Sequence, residues 1–202
     1  MRQTMLRRRS RTPGTHYVLT QSTGILIPGT IDTGNHGAYS SFLQTHFDFP
    51  FPIKFYGQTF TSGSIGCYGV LQFLSSSTSS PSSFPHSKYN YAIVGFLRNE
   101  SADGDGQGIF YSVSGVAPSR VLHLQWNTTE GFGGRIVFEI RFYEGNDSFE
   151  IYYAPSASRS EQGGIIGIQK DIGSQFVVYG VNYAQSQVLP PSNQKLRFSW
   201  VP

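Results

Sequence analysis

The turn Asp103-Gly104-Asp105-Gly106-Gln107 alternates carboxylates with glycines. Such a turn can aim several oxygens at one hard cation, which makes Asp103 and Asp105 the candidate ligands for calcium. The later bidentate Glu of a complete calcium loop is missing, so a solvated turn is the simpler reading and no cofactor is expected. The five histidines, His16, His36, His46, His86 and His123, are scattered along the chain. They come without a G-x-S-x-G elbow, an H-E-x-x-H pair or a phosphate-binding loop. His123 falls on the outward face of a strand, where a surface histidine is the ordinary case. Glu139, Glu144 and Glu150 read as surface carboxylates of one hairpin, and a glycosidase pair would have to come from among them. The chain is therefore expected to bind or build rather than catalyse. Three N-x-S/T sequons start at Asn99, Asn127 and Asn146. All three are expected in loops or at strand ends, where a glycan could project.

Charge is unevenly spread. The net charge is +3, yet residues 1–11 hold five of the 15 basic residues and no acid, leaving 10 basic against 12 acidic side chains elsewhere. The basic character belongs to an N-terminal arm. A solvated tail and a protease processing site are both open readings of its arginines. Nucleic-acid binding needs a basic folded face, which the body does not offer. No apolar run approaches the roughly 20 residues of a membrane span, and no apolar segment of a secretory signal follows the basic N-terminus. The lone Cys67 lies in an apolar strand context and reads as a small buried hydrophobe.

The elements that must position these residues begin with residues 47–73, FDFPFPIKFYGQTFTSGSIGCYGVLQF. Pro50 and Pro52 fix φ and remove two backbone donors. Phe49 and Phe51 precede them and are pushed toward extended backbone. Alternation then puts Phe47, Phe49, Phe51, Ile53 and Phe55 on one buried face. Downstream, Leu122, Leu124 and Trp126 alternate with His123 and Gln125, and Ile136, Phe138, Ile140 and Phe142 with Arg135, Glu139 and Arg141. Phe49, Phe51, Phe55, Trp126, Phe138 and Phe142 are the expected core. Phe (16) and Tyr (12) together outnumber the Lys and Arg (15) and Asp and Glu (12) residues, and such rings favour pleated surfaces. No window keeps a helical apolar period. The prediction is an all-β antiparallel sandwich, jelly-roll or immunoglobulin-like in broad class, of about ten short strands. It divides into an extended arm, residues 1–36, and a sandwich domain, residues 37–202.

The quoted ribbon resembles the opening of nidogen-like β-sandwich modules of secreted and surface proteins. Later text keeps the order of that family: GIFYSVSGVAPSRVLHLQW (108–126), IVFEIRFYEGNDSFEIYY (136–153), GGIIGIQ (163–169) and KLRFSW (195–200). The resemblance covers residues 42–201 and implies extracellular binding or structure rather than catalysis. Two positions depart from it. Tyr68 stands where the family's turn has Asn, and Gly95-Phe96-Leu97-Arg98 replaces an acidic stretch.

The arm lies outside that resemblance. Extended, residues 15–31 would reach about 55 Å at roughly 3.3 Å per residue, against about 17–20 Å for an ordinary strand. The arm either crosses its own body or lies on a neighbour. The leading expectation is an extracellular or cell-surface filament subunit, partnered by copies of itself through strand addition in the manner of donor-strand pili. A head-to-tail contact of that kind makes a helical filament. Arg7, Arg8, Arg9, Tyr17, Val18, Leu19, Ile25, Leu26 and Ile27 are the candidate assembly residues. Deleting residues 1–32 is expected to leave a folded, monomeric body. The alternative is a monomeric adhesion or glycan-binding module that makes contacts through loops 75–85 and 127–134.

Overall fold

The structure is a computed structural model that describes residues 7–9, 15–37, 43–78, 83–97, 100–130, 134–155, 164–180 and 192–202. The arm contributes β1 (Arg7–Arg9), β2 (His16–Thr23) and β3 (Ile31–Asp32). The aromatic ribbon is a hairpin of β4 (Gln44–Phe55) and β5 (Gln58–Gly66), and β6 (Val70–Gln72) follows. Then come β7 (Ala92–Leu97), β8 (Glu100–Ser101), β9 (Gly108–Ser114), β10 (Val121–Glu130), β11 (Arg135–Tyr143) and β12 (Phe149–Tyr153). The last three strands are β13 (Ile165–Lys170), β14 (Gln175–Gly180) and β15 (Gln194–Val201).

The strands form two antiparallel sheets, as the alternation predicts. Sheet A runs β1-β14-β13-β7-β6-β5-β4 and sheet B runs β2-β15-β12-β11-β10-β9-β3, with β8 beside β10. The strand count exceeds the expected ten chiefly because the arm is itself stranded and the ribbon folds back on itself. That fold-back rests on Tyr56 and Gly57, both at positive φ (50° and 75°). Two positive φ values in a two-residue loop match the right-handed twist of the strands they join, and Gly57 adopts its value without a Cβ clash.

The ribbon's apolar face is buried as its alternation requires, from Phe47 at 7% exposure to Phe55 at 0%. Its pairing with β5 breaks between Asp48 and Ile53, across the two prolines. The strand accordingly sits at the edge of sheet A, where missing donors cost no ladder bonds. Between the sheets, all six expected core residues join one apolar cluster. Trp126 stacks on Phe138 with ring centroids 5.0 Å apart, and its indole N–H donates to the Gly66 carbonyl of sheet A at 2.8 Å. Cys67 is buried.

The arm is the unexpected part of the architecture. β1 pairs with β14, β2 with β15 and β3 with β9, all within the same chain. Among the described residues, three of the four sheet edges are therefore arm strands, and the fourth is the proline-bearing β4. Tyr17 is 2% exposed and packs between Phe55, Tyr56, Phe149 and Trp200. Its hydroxyl donates to the Asp147 carbonyl at 2.6 Å. Deleting residues 1–32 would open this part of the core and bare two edges of sheet B. The folded, monomeric body expected of that truncation would have to hold together without Tyr17 and these edge strands.

Candidate functional site

Between β2 and β3, residues 24–30 must travel from one edge of sheet B to the other. They do so as a strap across its outer face, and the polar residues of that face hold the strap by its backbone. Gly24 N–H donates to the Asn193 carbonyl at 2.9 Å. The Ile25 carbonyl accepts from Arg141 Nη2 at 3.2 Å, and Ile27 N–H donates to Glu139 Oε2 at 2.8 Å. Gly29 N–H donates to Gln125 Oε1 at 2.7 Å, and the Pro28 carbonyl accepts from Ser112 Oγ at 3.3 Å. Gly29 lies so close to β9 that a Cβ there would stand 2.6 Å from the Phe110 carbonyl carbon. A side chain at that point would lift the strap off the sheet.

Beneath the strap, charge is packed at high density. Glu139 is 0% and His123 2% exposed, which corrects the reading of both as surface residues. Their outward orientation agrees with the alternation of β10 and β11; the strap is what removes them from water. His123 Nδ1 lies 2.6 Å from Glu139 Oε1, and His123 Nε2 lies 2.9 Å from Ser114 Oγ. A carboxylate only accepts, so the ring proton sits on Nδ1 and donates to Glu139. Nε2 is then left to accept from the Ser114 hydroxyl. Arg141 reaches the same carboxylate with Nε at 2.7 Å and Nη2 at 2.9 Å, and its guanidinium lies 3.8 Å over the Tyr152 ring. Burial pushes the Glu139 carboxyl up, but the bonds from His123, Arg141 and the Ile27 amide outweigh it and hold it below the usual carboxylate range.

The register explains how these residues meet. His123 stands opposite Arg141 on β11 and opposite Ser112 on β9. Glu139 and Ser114 are the diagonal neighbours on either side, two residues along each flanking strand. Diagonal neighbours on one sheet face are within reach of long side chains. A second cluster lies alongside, around Glu150. Its carboxylate accepts from the Tyr143 and Tyr152 hydroxyls at 2.5 and 2.6 Å and pairs with Arg197 and Lys195 at 2.9 and 3.2 Å. Burial raises its pKa, and these four donors more than reverse that, bringing it to about 2.

The other predicted site residues are dispersed. Asp103 and Asp105 are exposed on a turn closed by Gln107 N–H to the Gly104 carbonyl. Among the described residues no cluster of three metal-ligating side chains occurs. Asn127 is not in a loop: it lies within β10 at 7% exposure, its amide donating to the Gly106 carbonyl and accepting from Arg135. A glycan could not project from it there. Asn146 does stand on an exposed turn, while Asn99 lies outside the described residues. Of the loops offered as contact surfaces, residues 79–82 and 131–133 lie outside the described residues, and residues 127–130 are strand. Of the arm residues, Tyr17 is buried, Leu19 packs against the core and Val18 is 38% exposed. Leu26 is half-buried, and Ile25 and Ile27 are exposed at 81% and 42%. The strap is thus held through its main chain, with Ile25 and Ile27 turned to solvent. Arg7, Arg8 and Arg9 form β1 opposite Val178, Val177 and Phe176.

Sequence reasoning missed Ser114 and the strap. The available signals were Gly24 and the Pro28-Gly29 pair, which allow close approach of backbone to a sheet, and the shared outward face of His123 and Glu139.

A family model described as NIDO related matches residues 16–199. The match begins at the first residue of β2, so β2, the strap and β3 lie inside the matched module and residues 1–15 lie outside it. No curated protein and no solved structure matches the chain. Among the described residues no helix is long and apolar enough to cross a membrane.

Proposed function

The chain belongs to the NIDO-related family, and on that footing we propose that it is a self-contained adhesion module of the extracellular type. The observation that carries this reading is the course of the arm. β2 pairs with β15 along its full length, Tyr17 enters the core, and the strap is tied to sheet B by main-chain bonds. One copy thereby supplies its own edge strands, which blunts indiscriminate edge-to-edge association. The strap's outward side chains, with Ile25 and Ile27 foremost, give the module an apolar contact surface on a face that is otherwise charged.

A second reading is favoured by one observation: the same arm makes three of the four sheet edges. If arms exchange between copies, each body receives its missing strands from a neighbour, and a head-to-tail filament results. Replacing Val18 and Ser199, opposite each other in the β2–β15 register, by cysteine separates the two readings. The single native Cys67 is buried and leaves the background low. Oxidation of V18C/S199C is expected to give an intrachain disulfide and a monomer on a non-reducing gel. A ladder of linked chains would replace the first reading by the second, and failure to crosslink would count against both.

A further inference from the structure

Ser114, His123 and Glu139 form an ordered relay rather than a mere cluster, and its order is that of nucleophile, base and orienting acid. Ser114 is exposed at the end of β9, the base beside it is nearly buried, and the acid behind the base is fully buried. The two contacts use the correct ring nitrogens. Nε2 faces the hydroxyl at 2.9 Å, and Nδ1 faces the carboxylate at 2.6 Å. A nucleophile within hydrogen-bond reach of a base that a third group orients is the geometric signature of covalent catalysis, and it is recognised by roles rather than by sequence order. Arg141 and the Ile27 amide add three further bonds to Glu139. They fix the carboxylate in place, so the imidazole is held in one orientation and one tautomer. A cluster that served only to anchor the strap would need Glu139 and Arg141. It would not need a histidine with its second nitrogen on an exposed serine.

We infer that Ser114 is an acyl-accepting nucleophile, with His123 as general base and Glu139 as its positioning residue, acting on carboxylic esters of short apolar acyl groups. This inference stands apart from the adhesive reading and reverses the sequence-based expectation of a chain without catalysis. In the first step Ser114 Oγ bonds to the ester carbonyl carbon while its proton passes to His123 Nε2. The bond from that carbon to the alcohol oxygen breaks, and the departing oxygen takes the proton from Nε2. Water then attacks the acyl-serine and gives a proton to Nε2. The acid is released as Ser114 Oγ takes the proton back. The apolar preference follows from the neighbourhood: Val116, two residues past the serine, is 79% exposed, and Ile27 beside Glu139 is 42% exposed. Activated esters ask least of a nucleophile and base, because their leaving group departs readily, and they are the substrates taken for the test.

The test is labelling of the full chain with a fluorophosphonate probe, read by intact mass and peptide mapping, together with turnover of p-nitrophenyl acetate. One adduct is expected, on Ser114. S114A should lose the adduct and at least about 100-fold of the turnover, the usual worth of a positioned base acting on its nucleophile. The melting profile of S114A should shift little, because the side chain removed is exposed and water can take its place on His123 Nε2. H123Q should lose turnover to a similar extent, and S119A, which alters an exposed serine on the turn after β9, should keep it. No adduct, an adduct on any other serine, or full turnover in S114A would overturn the inference. S114A leaves the buried cluster intact, so its result decides the matter even where H123Q folds poorly.

Discussion

On its inner face, sheet B carries Leu122, Leu124 and Trp126 from β10 and Phe138, Ile140 and Phe142 from β11. On its outer face the same two strands carry His123, Gln125, Glu139 and Arg141. Both sets are shut off from water, the first by sheet A and the second by a seven-residue strap. The inner face is closed by area: its rings and branched side chains need only be apolar and of suitable volume, because burial is non-directional. The outer face is closed by satisfaction. A fully buried carboxylate is tolerable only when its acceptor sites are filled, and Glu139 is filled by a histidine, an arginine and a strap amide. One strand can thus serve two cores that obey different rules. A loss on the inner side should spread through the whole domain, while a loss on the outer side should first release the strap.

The most damaging substitution lies on the inner face. Trp126→Ala should cost about 3–5 kcal/mol of stability, the usual range for a large aromatic removed from a packed core. Denaturant unfolding would read it, and a cost under about 1 kcal/mol would mean that the Trp126–Phe138 stack is not central. Next comes Glu139→Gln, which leaves Arg141 without its buried counter-charge and puts a neutral amide where His123 donates. A cost near 3 kcal/mol is expected by the rule for breaking one side of a buried ion pair. Its diagnostic mark is selective: amide exchange should rise in residues 24–30 before it rises in β10 and β11. Equal acceleration everywhere would erase the distinction between the faces.

Acid separates the two faces without mutation. Glu139 and Glu150 both hold depressed pKa values in the folded chain, Glu150 at about 2 against an ordinary 4.5. Below their ordinary range the unfolded chain takes up protons that the folded chain refuses. The contribution of Glu150 is therefore complete above about pH 4.5 and is lost as pH falls toward 2, and that of Glu139 is likewise lost on the acid side of its ordinary value. The outer face should loosen first in an acid titration followed by exchange or by tyrosine fluorescence, since Tyr143 and Tyr152 report on Glu150. The mildest change is Tyr17→Phe. It keeps the ring and removes one hydroxyl bond to Asp147, for a cost of about 1 kcal/mol. A cost several times larger would assign the docking of β2 to that bond rather than to ring packing.

Much of the inner face was legible in the sequence. The Phe-Pro ribbon and the period-two alternation of residues 121–126 and 135–143 state which side chains point together. Local backbone geometry transmits that information directly. The outer face was half legible: alternation put His123 and Glu139 on one side, but nothing local says what lies over them. The strap is a long-range fact. The side chains that hold it lie between 84 and 116 positions away, and the groups they grip are main-chain amides and carbonyls, which leave little trace in residue type. Ile25 and Ile27 invited a reading as inserted side chains because their type suggests burial. The backbone is what the sheet holds, and it marks the sequence at Gly24 and Gly29, where close approach excludes a side chain. Ser114 escaped notice for a related reason, since it is paired with His123 by register and not by any motif.

Everything proposed for the outer face of sheet B depends on the strap closing it in the native chain. Native-state amide exchange at Ile27 and Gly29 tests that closure, because their acceptors are the side chains of Glu139 and Gln125. Both amides should be protected to an extent comparable to the neighbouring strands β10 and β11, and the Ile27 protection should collapse in Glu139→Gln. Exchange of both amides at the rate of an unstructured peptide in the wild-type chain would show that the strap does not cover the sheet.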